Sequence, residues 1–111
     1  MILISIIIPV YNSEDTLILI QQKIKENLKL EYEIIFVNDG SYDNSWETIE
    51  NIAKNNSEVT GINFNKNFGQ DNAIIAGLSY TKGEYVVIMD DTPPRRRHLG
   101  LRRHGVPAWM L

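Results

Sequence analysis

Apolar and polar residues alternate along the chain in blocks of two different periods, and those periods predict the elements. Residues 2–8 form an almost unbroken β-branched run that Pro9 ends, the pattern of a strand buried on both faces. Residues 13–28 carry Leu17, Ile20, Ile24 and Leu28 at helical spacing. Asn12 or Ser13 is the expected cap of this helix, with Glu14 and Asp15 in its first turn near the positive end of the dipole. Residues 32–38 repeat the buried-strand pattern and close on the turn Asp39-Gly40-Ser41. A helix over about 43–54 presents Trp46, Ile49 and Ala53. A strand at 58–64, a short helix at 72–80 with Ile74, Ile75 and Leu78, and a strand at 84–89 complete the series.

The order is β-α-β-α-β-α-β. Right-handed crossovers then require a parallel sheet with helices on both faces, a three-layer α/β arrangement of Rossmann-like type. Ligands of such sheets bind at the carboxyl ends of the strands. The polar residues that follow each strand are therefore expected to converge: Tyr11 and Asn12, Asp39, residues 67–70, then Asp90 and Asp91.

With 111 residues there is room for one domain. The 43% hydrophobic and 23% charged residues are ordinary for a globular chain. The absence of cysteine excludes disulfides, zinc–thiolate sites and a catalytic thiol. The opening apolar run has no basic residue before it and no small-residue cleavage site after it. No stretch approaches about 20 apolar residues, so no transmembrane helix is expected in this chain.

Charge divides the chain in two. Residues 1–92 hold six lysines, no arginine and 14 acidic residues, a net of −8, whereas residues 93–111 hold five arginines and no acid. An acidic body does not favour nucleic acid, whose affinity rests on Lys and Arg against phosphate. After Thr92 there is no isoleucine, asparagine or lysine, and Pro, Arg and Gly dominate. Residues 1–91 are read as the domain. Residues 92–111, with His98 and His104, are read as a foreign, frame-shifted or disordered tail.

Four segments carry the chemistry: residues 5–12 (SIIIPVYN), residues 37–41 (VNDGS) with Asp43 and Ser45, residues 67–70 (NFGQ), and residues 89–91 (MDD). Together, and in this order, they resemble the family-2 glycosyltransferases, inverting enzymes of the GT-A fold. The NFGQ segment, followed by Ala73, Ala76 and Gly77, most resembles the branch that transfers sugars to polyprenyl phosphate. The likeness covers residues 3–91.

The resemblance implies a UDP- or GDP-sugar donor and an acceptor that is a lipid phosphate or a growing glycan. It implies Mg²⁺ or Mn²⁺ as cofactor, and a cytoplasmic location or one at the cytoplasmic membrane face in a longer parent. Pro9, Tyr11, Asn12 and Glu14 are then placed along base and ribose. Asp39 is the acceptor for a uracil N–H or ribose hydroxyls. Lys66, Gly69 and Gln70 lie at the diphosphate, and a glycine at 69 admits backbone geometry that a side chain would block. Asp90 takes the first place of the family's Asp-x-Asp motif, Asp91 the variable middle, and Thr92 the place of the second acid. Asp90 and Asp91 are the candidate metal carboxylates. In this family the general base lies beyond that motif, so none is assigned.

Competing classes lack their motifs. No Gly-x-Gly-x-x-Gly follows the first strand, and no phosphate-binding loop ending in Gly-Lys-Ser/Thr occurs. A phospho-acceptor receiver would carry its acidic pair after the first strand, and here the pair follows the fourth. A non-catalytic fragment that only binds nucleotide is the other alternative. An uncovered edge after the fourth strand predicts self-association.

Overall fold

The computed structural model describes residues 1–91; the tail assigned to residues 92–111 lies outside the described residues. Strands β1 (Ile4–Val10), β2 (Tyr32–Asp39), β3 (Val59–Phe64) and β4 (Tyr85–Ile88) alternate with helices α1 (Leu17–Asn27), α2 (Ser45–Asn55) and α3 (Gln70–Leu78). All strand pairs are parallel, in the order β3-β2-β1-β4.

That order explains the layers. The chain steps outward from β1 to β2 to β3, then crosses back to the far side of β1 to form β4. Crossovers of one hand place helices on opposite faces when the direction of travel reverses. Accordingly α1 and α2 cover one face, where Leu17, Ile20, Ile24, Ile49 and Ile52 pack on Ile6, Ile8, Ile34 and Phe36. The α3 helix covers the other, with Ala73 against Ile7, Ile35 and Val37. Alternate residues of β1 thus serve different cores, which is why its isoleucine run is nearly continuous. Gly77 lets α3 approach closely: a Cβ there would stand 2.7 Å from Ile7 Cγ2.

Ser5 of β1 and Glu33 of β2 are buried polar residues near the start of the apolar strands, and both are satisfied. The Ser5 hydroxyl donates to the buried Glu33 carboxylate at 2.6 Å. The same carboxylate accepts the Lys82 amide at 2.6 Å, and Ser5 Oγ accepts the Gly83 amide at 2.8 Å. This cluster pins the turn before β4 at the end of the sheet opposite the strand C-termini.

The helix boundaries depart from the periodicity. Helix α1 begins at Leu17 with Thr16 as its cap residue, not at residue 13, and no acid occupies its first turn. Asn12 and Ser13 do not cap it. Asn12 has a left-handed φ of +51°, and Ser13 and Glu14 give their amides to Ser45 Oγ and Asp43 Oδ2 of the neighbouring loop. The Thr16 amide and hydroxyl both turn back to the Ser13 carbonyl, so residues 13–16 form a separate turn ahead of the helix. Helix α2 likewise starts at Ser45, because Asp43 accepts the Ser45 amide in a turn ahead of the helix. Its buried face is Ile49 and Ile52, with Trp46 and Ala53 partly buried beside them. Helix α3 begins at Gln70, two residues earlier than the pattern indicated, and buries Ala73 and Gly77 while Ile75 and Leu78 stay exposed.

Candidate functional site

In this sheet the direction of travel reverses at β1 and β4, so the strand C-termini open a crevice there. A pocket of about 100 Å³ occupies it, lined by Pro9, Val10 and Tyr11 of β1 and its loop, Asp39 of β2, Gln70 of α3, and Met89, Asp90 and Asp91 after β4. Four segments, the nearest 19 residues apart in sequence (Gln70 to Met89), thus meet at one wall.

Asp39 ends β2 almost fully buried. Its Oδ1 accepts the Phe68 amide at 2.7 Å, which ties the loop before α3 to the end of β2. Gly40 makes that approach possible, with φ +67° and a notional Cβ only 2.3 Å from Asn67 N and Lys66 C. Gly69 has φ +98° and open space around it, so its role is backbone conformation alone. Lys66 does not line the pocket; its Nζ sits 5.1 Å from the centre of the Phe68 ring, which meets Phe64 edge-on at 5.5 Å.

The loop between β1 and α1 is laced to its neighbours. Asn12 gives its amide to Ser41 Oγ at 3.0 Å and accepts the Tyr42 amide on Oδ1 at 2.8 Å. Tyr11 stands edge-on to Tyr42, ring centres 6.4 Å apart. Asn12 and Glu14 are therefore adjacent to the pocket wall without forming it. Asp43 accepts from the Ser45 amide and hydroxyl and the Glu14 amide. Burial pushes its carboxyl up, but these donors outweigh that and hold it below its ordinary value.

Asp90 and Asp91 stand side by side on the pocket wall. Asp91 Oδ2 accepts the Tyr11 amide at 3.0 Å and the Ser13 hydroxyl at 2.6 Å, while its carbonyl accepts the Thr16 hydroxyl at 2.9 Å. Burial raises the Asp91 carboxyl above the usual range; the Ser13 and Tyr11 donors offset part of this and the neighbouring Asp90 adds to it. Among the described residues no group of three His, Cys, Asp or Glu side chains gathers in ion-binding geometry. Thr92 lies outside them.

Several contributors are not prominent in the sequence. Val10 and Met89 also line the pocket. Ser13 and Thr16 hold Asp91, and the buried Asn38 joins Asn63 at 2.8 Å and Ser41 at 2.5 Å. The available sign was the density of short polar residues just after strands one and two, which is also how ordinary turns look.

The profile of glycosyl transferase family 2 matches residues 5–91, and the chain belongs to that family. It is 42% identical over 91 residues to the undecaprenyl-phosphate 4-deoxy-4-formamido-L-arabinose transferase of Proteus mirabilis, covering 78% of this chain and 28% of that protein. The fold matches the mannosyltransferase PcManGT of Pyrobaculum calidifontis, solved with GDP-Man and Mn²⁺, at TM-score 0.69 and 22% identity over 86% of this chain and 30% of that one. It also matches TarS 1-349 of S. aureus in complex with UDP, at TM-score 0.71 and 22% identity over 81% of this chain and 27% of that one. The architecture is accordingly that of the GT-A glycosyltransferases, and the chain spans under a third of the length of these proteins. No helix among the described residues is long and apolar enough to cross a membrane.

Proposed function

We propose that residues 1–91 form the donor-nucleotide half of an inverting glycosyltransferase. It takes a sugar from a UDP- or GDP-linked donor for transfer to a polyprenyl phosphate or a growing glycan. The observation that carries this reading is the meeting of Tyr11, Asp39, Gln70, Asp90 and Asp91 at one pocket on the strand ends. The relative named as an undecaprenyl-phosphate transferase supports the lipid-phosphate choice, and on that reading we place the parent at the cytoplasmic membrane face.

In this reading Tyr11 offers an aromatic face to the base, next to Pro9, and Asn12 and Glu14 border the ribose. Asp39 keeps Oδ2 for a base N–H or a ribose hydroxyl, since Oδ1 is engaged by Phe68. The diphosphate lies toward the α3 N-terminus, with Gly69 and Gln70 there and Lys66 on the preceding loop. Three carboxylates and no basic side chain line the pocket, so a cation strengthens the binding of a diphosphate there. Mg²⁺ or Mn²⁺ typically binds through one or two carboxylates plus phosphate oxygens, and Asp90 with its neighbour Asp91 fits that donor set. Such an ion, when bound, neutralises the departing nucleoside diphosphate. The general base that deprotonates the acceptor is assigned to chain beyond residue 91.

Nucleotide binding without turnover by this chain alone is the second reading, favoured by the 28% share of the transferase that it spans. Titration calorimetry with UDP and with GDP, in Mn²⁺, tests the site on the unmodified chain and on Asp39→Ala. Binding by the first and loss in the second is the expected result. No binding by the unmodified chain, or equal binding by both proteins, would overturn the assignment. Sugar transfer to a polyprenyl phosphate by the same chain would displace the second reading.

A further inference from the structure

Asp91 makes contacts that a metal ligand does not need. Its Oδ2 accepts the Tyr11 amide and the Ser13 hydroxyl, and its carbonyl accepts the Thr16 hydroxyl. These donors span the whole loop between β1 and α1, so one residue after β4 is bonded to the loop's beginning, middle and end. The 2.6 Å contact from Ser13 has the length of a hydroxyl bonded to an ionised carboxylate. Between them Asn12 holds a left-handed φ of +51°, a conformation that asparagine adopts more readily than most residues with a side chain. On the far side Ser41, Tyr42 and Ser45 hold the same loop through Asn12 and Ser13. Removing Asp91 therefore frees the side of the loop that faces the pocket, where Tyr11 stands.

We propose that Asp91 is a positioning residue of the donor site. Its carboxylate latches residues 11–16 in the shape that presents Tyr11 to the nucleotide, while Asp90 serves as the principal carboxylate toward the cation. This rests on the nucleotide-binding reading above, and it gives Asp91 a loop-anchoring role through Oδ2 that is separate from any part it plays beside Asp90 at the cation.

The variants that separate the two roles are Asp91→Asn and Asp91→Ala, made in the full 111-residue chain. An asparagine Oδ1 can accept both donors in place of Oδ2 but gives up the charge; alanine gives up everything. Hydrogen exchange of the Tyr11 and Ser13 amides is measured without nucleotide, and UDP affinity by calorimetry in EDTA and in MnCl₂. With a latch, Asp91→Ala speeds exchange of the Tyr11 amide by about tenfold or more and weakens UDP in EDTA by a similar factor, the scale of one bond to a charged group. Asp91→Asn stays within about threefold of the unmodified chain on both readouts, because a neutral acceptor keeps about half of the bond's strength.

Wild-type exchange in Asp91→Ala overturns the proposal. So does a pattern in which both variants match the unmodified chain in EDTA and fail equally in Mn²⁺, which is the signature of a metal ligand. Should Asp91→Ala not fold, Ser13→Ala removes one donor, and faster Tyr11 exchange in it supports the latch while unchanged exchange counts against it. If the unmodified chain binds no UDP, the donor-site reading falls, and the exchange measurements still decide whether Asp91 holds the loop.

Discussion

The Asp39 carboxylate accepts the backbone amide of Phe68 across 29 residues of sequence, at 2.7 Å, so the end of β2 and the loop that leads into α3 form one unit. One oxygen of this nearly buried group is therefore structural, and the residue also lines the pocket. The two roles separate by substitution. Asp39→Ala leaves the Phe68 amide without its partner and is expected to lower stability by about 1–3 kcal/mol in urea unfolding. Asp39→Asn can keep that bond through its Oδ1, but it then turns an N–H toward the base donor. It is expected to retain most of the stability while losing UDP affinity by calorimetry.

Gly40 and Gly69 both have positive φ, yet they are not equivalent. A Cβ at Gly40 meets backbone at 2.3 Å, whereas one at Gly69 meets nothing within 4 Å. Gly69→Ala should cost about 1–3 kcal/mol, the strain of its backbone conformation alone. Gly40→Ala adds a collision with the Lys66–Asn67 peptide and should cost more, with displacement of the loop that Asp39 holds. Urea midpoints compare the two, and a larger loss at Gly69 would contradict this account.

Acid sensitivity has an identifiable contributor in Asp43. The Ser45 and Glu14 donors hold its folded-state pKa below the ordinary 3.8 despite burial. A depressed carboxylate contributes stability above its unfolded value and loses it as pH falls through the folded one. Asp43→Asn is therefore expected to be less stable than the unmodified chain near pH 7, and the difference should shrink from about pH 4 downward. Asp91, raised by burial, acts in the opposite sense, and comparing the chain with Asp43→Asn at each pH removes its contribution.

Strand β4 pairs with β1 and, among the described residues, with no other strand. Val86 and Ile88 are 40% and 49% exposed, and Ile75 of α3 is 63% exposed. An apolar edge of this kind pairs with other chains. The 111-residue chain is expected to self-associate in light scattering, and Ile88→Lys with Val86→Lys to shift it toward monomer without changing its circular dichroism.

The run of isoleucines in β1 and the 3.6-residue stripe of α1 were sufficient to place strands and helices, because period is a property of neighbours along the chain. Alternation of those elements then required a parallel sheet, and a parallel sheet required Tyr11, Asp39, Gln70 and the Asp90 pair to meet. What local pattern could not supply was any bond made between loops. The loop ahead of α1 is held by Ser45 and Asp43, 32 and 29 residues away from the amides they accept. The anchoring of Tyr11 depends on Asp91, 80 residues away. Asp39 was legible as a strand-end acid, but its bond to Phe68 and the need for Gly40 arose only once the two loops were packed together. Hydrophobic periodicity thus set which segments are strands and helices and which strand ends converge. The tertiary structure alone decided which polar groups were left for a ligand, since each oxygen is first claimed by whatever donor the fold brings to it.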